Sequence, residues 1–148
     1  MIAKEMEQHV VRHLGLRRKY IVPNVSWGWN LKHEADLIVV SKNLWAVEIE
    51  IKVSAADLKA DAKKEKWLRE YDDKISKLIY AVPADLFDLC KQSVPEFCGI
   101  LAFNENGSLA ASRKAKEIPA KKPRRKITEK ELISLLRLGC MRLWSVKL

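Results

Sequence analysis

Glu48, Glu50 and Lys52 occupy alternate positions in the run Trp45-Ala46-Val47-Glu48-Ile49-Glu50-Ile51-Lys52. An extended strand sends successive side chains to opposite faces, so these three charges share one face while Val47, Ile49 and Ile51 share the other. Asp36 opens an earlier apolar run, Asp36-Leu37-Ile38-Val39-Val40, and the polar Ser41-Lys42-Asn43 between the two runs predicts a hairpin. Such a hairpin sets Asp36 opposite residues 48 to 50, within side-chain reach of the charged row. Carboxylates crowded in this way repel, and burial penalises their charged forms further, so the cluster stays ionised only with a cation. Hard oxygen donors that leave room for water suit magnesium or manganese. The metal would activate a water and clamp a phosphate oxygen, while the Lys52 ammonium would hydrogen-bond the attacking water or the charge developing on the phosphate. An Asp, a Glu and a Lys so arranged are a minimal set for hydrolysing a phosphodiester. The same charges also admit a plain reading, as the solvent face of an amphipathic strand.

The surrounding pattern supplies elements to hold that hairpin. Met6, Val10 and Leu14 at helical spacing predict a helix over residues 5–14, with Gly15 as its stop. Tyr20-Ile21-Val22 reads as a strand whose Pro23 marks a start, an edge or a bulge. Ser54 as N-cap, with Asp57 three positions on, opens a helix from 55 to about 66. A buried strand over 77–82, a short helix over 84–91 and a strand over 98–103 follow, and Asn106-Gly107 turns the chain into a strand over 108–112. Thr128-Glu129-Lys130-Glu131 is a capping box before a final helix. The order α-β-β-β-α-β-α-β-β-α predicts an α/β (α+β) domain, a central mixed β-sheet flanked by helices. Trp27 and Trp29 share a strand parity and read as core, with base stacking as the alternative; Trp67, Leu68 and Tyr71 read as packing.

Charge is distributed unevenly along this frame. The chain of 148 residues carries +9, yet residues 1–112 hold 16 basic and 16 acidic side chains. Residues 113–126 hold eight bases against Glu117 alone, and Pro119 and Pro123 exclude a continuous helix there. The expected organisation is therefore a core over 1–112, a basic strap over 113–126, and a C-terminal helix over 127–148 packing on the same domain. Lys121, Lys122, Arg124, Arg125 and Lys126 are the candidate contacts to a nucleic-acid backbone. No apolar run nears the ~20 residues of a membrane-spanning helix, and the first residues form no apolar signal region, so a cytoplasmic protein without a membrane partner is expected. Cys90, Cys98 and Cys140 read as small core residues rather than a disulfide or zinc framework. The five glycines fit neither a P-loop nor a dinucleotide fingerprint.

The stretch from Ala35-Asp36-Leu37-Ile38-Val39 through Val47-Glu48-Ile49-Glu50-Ile51-Lys52-Val53-Ser54-Ala55-Ala56-Asp57-Leu58-Lys59-Ala60-Asp61 resembles the catalytic core of the PD-(D/E)xK, or restriction-endonuclease-like, nuclease superfamily. Together with Leu78-Ile79-Tyr80-Ala81-Val82-Pro83 it is similar to the MmcB-like DNA-repair branch and to small phage proteins of that type, over about residues 33–112. The resemblance implies a magnesium- or manganese-dependent DNA nuclease of repair or phage DNA processing. In it, Asp36, Glu50 and the Ile51 carbonyl would be metal ligands and Lys52 the catalytic lysine. It further implies a carboxylate from the first helix, with Glu5 as first candidate and Glu7 as second. Ala35 stands where the nominal pattern has Pro. Glu48 is an extra acid on the catalytic face, open between a second-site ligand and a partner for Lys52. RNA is a further substrate class compatible with these residues, a homodimer is a possible assembly, and a catalytically silent nucleic-acid-binding module on the same fold is the alternative to an enzyme.

Overall fold

The apolar and alternating runs pair into one six-stranded sheet in chain order, β1 to β6, in a computed structural model that describes residues 1–31, 33–62 and 73–148. The strands β1 (Lys19–Val25), β2 (Ala35–Ser41) and β3 (Ala46–Ile51) form an antiparallel meander. Pro23 lies on β1, an edge of the sheet, where a residue without an N–H is tolerated. Beyond β3, the strands β4 (Ile75–Pro83) and β5 (Gly99–Phe103) run parallel to it, and β6 (Leu109–Arg113) returns antiparallel. The turn before β6 needs Gly107, whose φ is +89° and whose position leaves no room for a Cβ beside the His9 ring. The observed architecture is the expected mixed sheet flanked by helices.

Each face of the sheet is covered for a reason visible in the connections. The helices α2 (Ala55–Ala62) and α3 (Phe87–Ser93) cross over between parallel neighbours that advance in the same direction, so the right-handed preference sends both to one face. There Leu58 and Cys90 are buried with Ile38, Val40, Leu78, Tyr80 and Ile100. Helix α1 (Ala3–Leu14) covers the other face, packing Met6 and Val10 against Leu37, Val39, Ile49, Ala81 and Phe103. The expected extension of α2 beyond Ala62, and Trp67, Leu68 and Tyr71, lie outside the described residues.

Helix α4 (Glu129–Lys147) packs on β1 and buries Leu135 in the larger core. Its capping box forms as expected: Glu131 N–H donates to Thr128 Oγ1 at 3.1 Å and Thr128 N–H to Glu131 Oε1 at 2.9 Å. Trp29 does not stand on a strand. Residues Trp27–Trp29 form a 3-10 turn, and buried Trp29 donates its indole N–H to the Glu131 carbonyl at 2.9 Å, which removes it as a platform for a base. Cys90 and Cys98 are core residues, but Cys140 is exposed on α4, contrary to the sequence expectation. Among the described residues no helix is long and apolar enough to cross a membrane.

The basic strap lies tied to the sheet. Backbone bonds from Lys116 to Phe97, Ile118 to Ser76, Arg125 to Asp73 and Ile127 to Leu44 hold it at 2.8–3.0 Å. Ile118 and Ile127 are buried, each contributing roughly 1.5–3 kcal/mol. Arg125 is gripped by Glu131 at 2.7 and 2.9 Å and by Asp73 at 3.2 Å. The Arg125 hydrogen bonds draw the Glu131 carboxyl down to about 2, against partial burial. A carboxyl depressed in the folded chain stabilises it above the unfolded value of 4.5 and loses that contribution as pH falls toward 2. The melting temperature of the wild type is therefore expected to drop more steeply across that window than that of Glu131→Gln. Parallel curves would remove this ion pair from the stability of the strap.

Candidate functional site

The β2–β3 pairing brings the charged residues to one end of the sheet. Leu37 pairs with Ile49 and Ile38 with Glu48, so the same register sets Asp36 across from Glu50. Asp36 Oδ2 accepts the Ile51 N–H at 2.7 Å, fastening the start of β2 to the end of β3. Glu48 and Glu50 point to the face that carries Ile38 and Tyr80, and both are buried, at 0% and 6% exposure. Lys52 follows β3 directly, and its backbone N–H continues the pairing by donating to Ala81 at 3.0 Å. Its ammonium lies 3.8 Å from Glu50 Oε2 and 3.5 Å from Asp61 Oδ1. The strand parity read from the sequence thus joins Glu48, Glu50 and Lys52 as one row, and the register adds Asp36.

Three further residues join the row to which the sequence reading gave no site role. Asp61, whose place one helical turn after Asp57 in a lysine-rich stretch reads as solvated, is buried at 2% on the inner side of α2. Tyr80 on β4, which pairs with Glu50, donates its hydroxyl to Asp61 Oδ2 at 2.5 Å. Burial first, and then this hydrogen bond, push the Tyr80 phenol above its ordinary value, so it stays a donor. Asp61 is thereby held by Tyr80 on one oxygen and faces Lys52 with the other. The third addition is His33, in the irregular segment before β2. Its Nε2 lies 2.8 and 2.9 Å from the two oxygens of Glu48.

Donor atoms of His33, Glu48 and Glu50 all lie within 4.8 Å of one another. Buried carboxylates with an imidazole are a chemically sound donor set for a divalent ion. Asp36 and the Ile51 carbonyl are not in that trio. Glu5 is not in it either, and its carboxylate accepts the Ile2 N–H at 3.4 Å at the exposed start of α1. From α1 it is Glu7 that senses the site. Burial, then the Asp36 charge, raise its carboxyl above the usual carboxylate value, with Lys4 opposing. The rings of His9 and His13, also on α1, pack on Phe103.

The strap residues expected to meet nucleic acid divide into two groups. Lys121, Lys122 and Lys126 are exposed. Arg124 is buried, with its guanidinium donating to the Lys122 carbonyl at 2.9 Å, and Arg125 is committed to Glu131 and Asp73. These two arginines hold the strap in place, Arg124 from a buried position, unlike the exposed lysines.

Fold and site together define an α/β domain whose mixed sheet carries buried acids and a lysine at one strand end. No protein-family model matches the chain, and no curated protein does. It is similar in fold to a solved Silicibacter pomeroyi protein of unknown function, with a TM-score of 0.66 and 18% identity, over 98% of this chain and 88% of that one.

Proposed function

We propose that the chain is a divalent-metal-dependent nuclease hydrolysing phosphodiester bonds in DNA, in repair or phage DNA processing. The observation that carries this reading is the meeting of Asp36, Glu50 and Lys52 where β2 begins and β3 ends, with Asp36 bonded to Ile51 N–H and Lys52 lying 3.8 Å from Glu50. A bound magnesium or manganese ion would supply Lewis acidity and a water acidic enough to attack at neutral pH. Glu50 and Asp36 would hold that ion, with Glu48 beside them. Lys52 directs its ammonium to the charge developing on the phosphate. Asp61, itself fixed by Tyr80, keeps Lys52 at the site rather than in solvent.

The test is incubation with flap, nicked, branched and single-stranded DNA, and with RNA in parallel, under magnesium or manganese. Cutting of at least one DNA substrate that is lost in Asp36→Ala is the expected outcome. Binding without cutting on every substrate would replace the enzyme with a silent nucleic-acid-binding domain. The strap adds a separate expectation. Replacing Lys121, Lys122 and Lys126 with Ala should weaken DNA binding and flatten the plot of log affinity against log salt by about two to three units, close to one per lost phosphate contact. An unchanged slope would take the strap off the DNA surface.

A further inference from the structure

We propose that His33, Glu48 and Glu50 form a cation site of their own, whose nitrogen donor selects a first-row transition ion over magnesium. The argument begins with spacing. Nitrogen and oxygen donors bind such ions at roughly 2.0–2.2 Å, which sets neighbouring donors about 3 Å apart and opposite ones about 4 Å apart. The donor atoms of the three residues all fall within 4.8 Å of one another. His33 Nε2 stands 2.8 and 2.9 Å from the two Glu48 oxygens. That near-equal approach aims the imidazole nitrogen along the middle of the carboxylate, and seating an ion between them asks the ring to retreat by roughly 1 Å. His33 can do so, because its side chain is 34% exposed and lies in an irregular segment, whereas Glu48 is wholly buried on a central strand. The site is thus a rigid carboxylate floor with one adjustable ligand at its mouth.

Donor chemistry decides the ion. Oxygen donors alone serve magnesium, which holds most of its waters and gains little from imidazole. An imidazole beside two carboxylates favours zinc or iron instead. Glu48 and Glu50 are shared with the proposed nuclease centre and His33 is not, and because this binding is measured without nucleic acid it stands without the nuclease reading.

Titrating the ligand-free chain with Zn2+ and with Mg2+ by calorimetry should give a Zn2+ site at least tenfold tighter than any Mg2+ site. His33→Ala should weaken Zn2+ binding by roughly 10–100-fold or more, since even the loss of an outer partner of a metal ligand costs that much, while Mg2+ binding changes less than about twofold. Nitrogen-15 spectra of the wild type give a readout independent of whether any variant folds. With His9, His13 and His33 as the only imidazoles, Zn2+ should move the His33 Nε2 resonance and leave the others in place. Zn2+ affinity unchanged in His33→Ala, or a Zn2+ response confined to His9 and His13, would overturn the proposal. Zn2+ binding at His33 in a chain that cuts no DNA would end the nuclease reading and leave this one standing.

Discussion

Lys52→Ala is expected to slow DNA cleavage by about 10²–10³-fold, the usual effect of removing one preorganised charge from the developing transition state. The side chain is positioned for that loss to be specific. Its ammonium lies 3.5 Å from Asp61 and 3.8 Å from Glu50, and Asp61 is in turn bonded to the Tyr80 hydroxyl. Removing the ammonium leaves two buried carboxylates facing each other, which costs stability of about 1–3 kcal/mol as well. Cleavage and unfolding must therefore be measured on the same variant. Tyr80→Phe separates the two effects, since it keeps Lys52 and loosens only its anchor; a fall in cleavage of about tenfold is expected, smaller than for Lys52→Ala. Single-turnover rates with saturating metal check both. Equal rates for wild type and Lys52→Ala would show that Lys52 is an ordinary ion-pair partner.

Phe103→Ala is expected to be the most damaging core substitution, at about 3–5 kcal/mol. Phe103 is wholly buried on β5, packed with Met6 and Val10 of α1 and touched by the rings of His9 and His13. It therefore holds α1 against the sheet, and with it Glu7. Against a total stability of roughly 5–15 kcal/mol, such a loss leaves a marginal protein. Urea unfolding should show the midpoint falling sharply with little change in slope. A midpoint within the scatter of the wild type would mean that α1 is held by contacts other than this ring.

The charged face was legible because period-two alternation is a local rule. Glu48, Glu50 and Lys52 declare their common face in eight consecutive residues, and a short polar break after Val40 supplies the hairpin that adds Asp36. The order of elements was legible for the same reason, from apolar runs, caps at Ser54 and Thr128, and the stop at Gly15. His33 carries no such signal. It sits in an irregular segment with no period, and only the folded register carries it to Glu48. Asp61 followed Asp57 by one helical turn in a lysine-rich stretch and looked solvated. Its burial depends on a hydroxyl that arrives from β4. The strap misled through its composition. Counting bases hides the apolar Ala115, Ile118 and Ile127 that fasten it, and an arginine near buried carbonyls and acids serves packing as readily as it serves a phosphate. Glu5 and Glu7 differ by two positions on α1, a rotation of roughly 200°, so choosing between them requires the side of the helix that faces Asp36.

Single-turnover cleavage of an end-labelled DNA in manganese, by the wild type and by Glu50→Gln, tests the central claim most directly. The account predicts cutting by the wild type and none above background by Glu50→Gln, with DNA affinity and melting temperature close to unchanged. Equal cutting by both proteins, or no cutting by the wild type on any substrate, would contradict it.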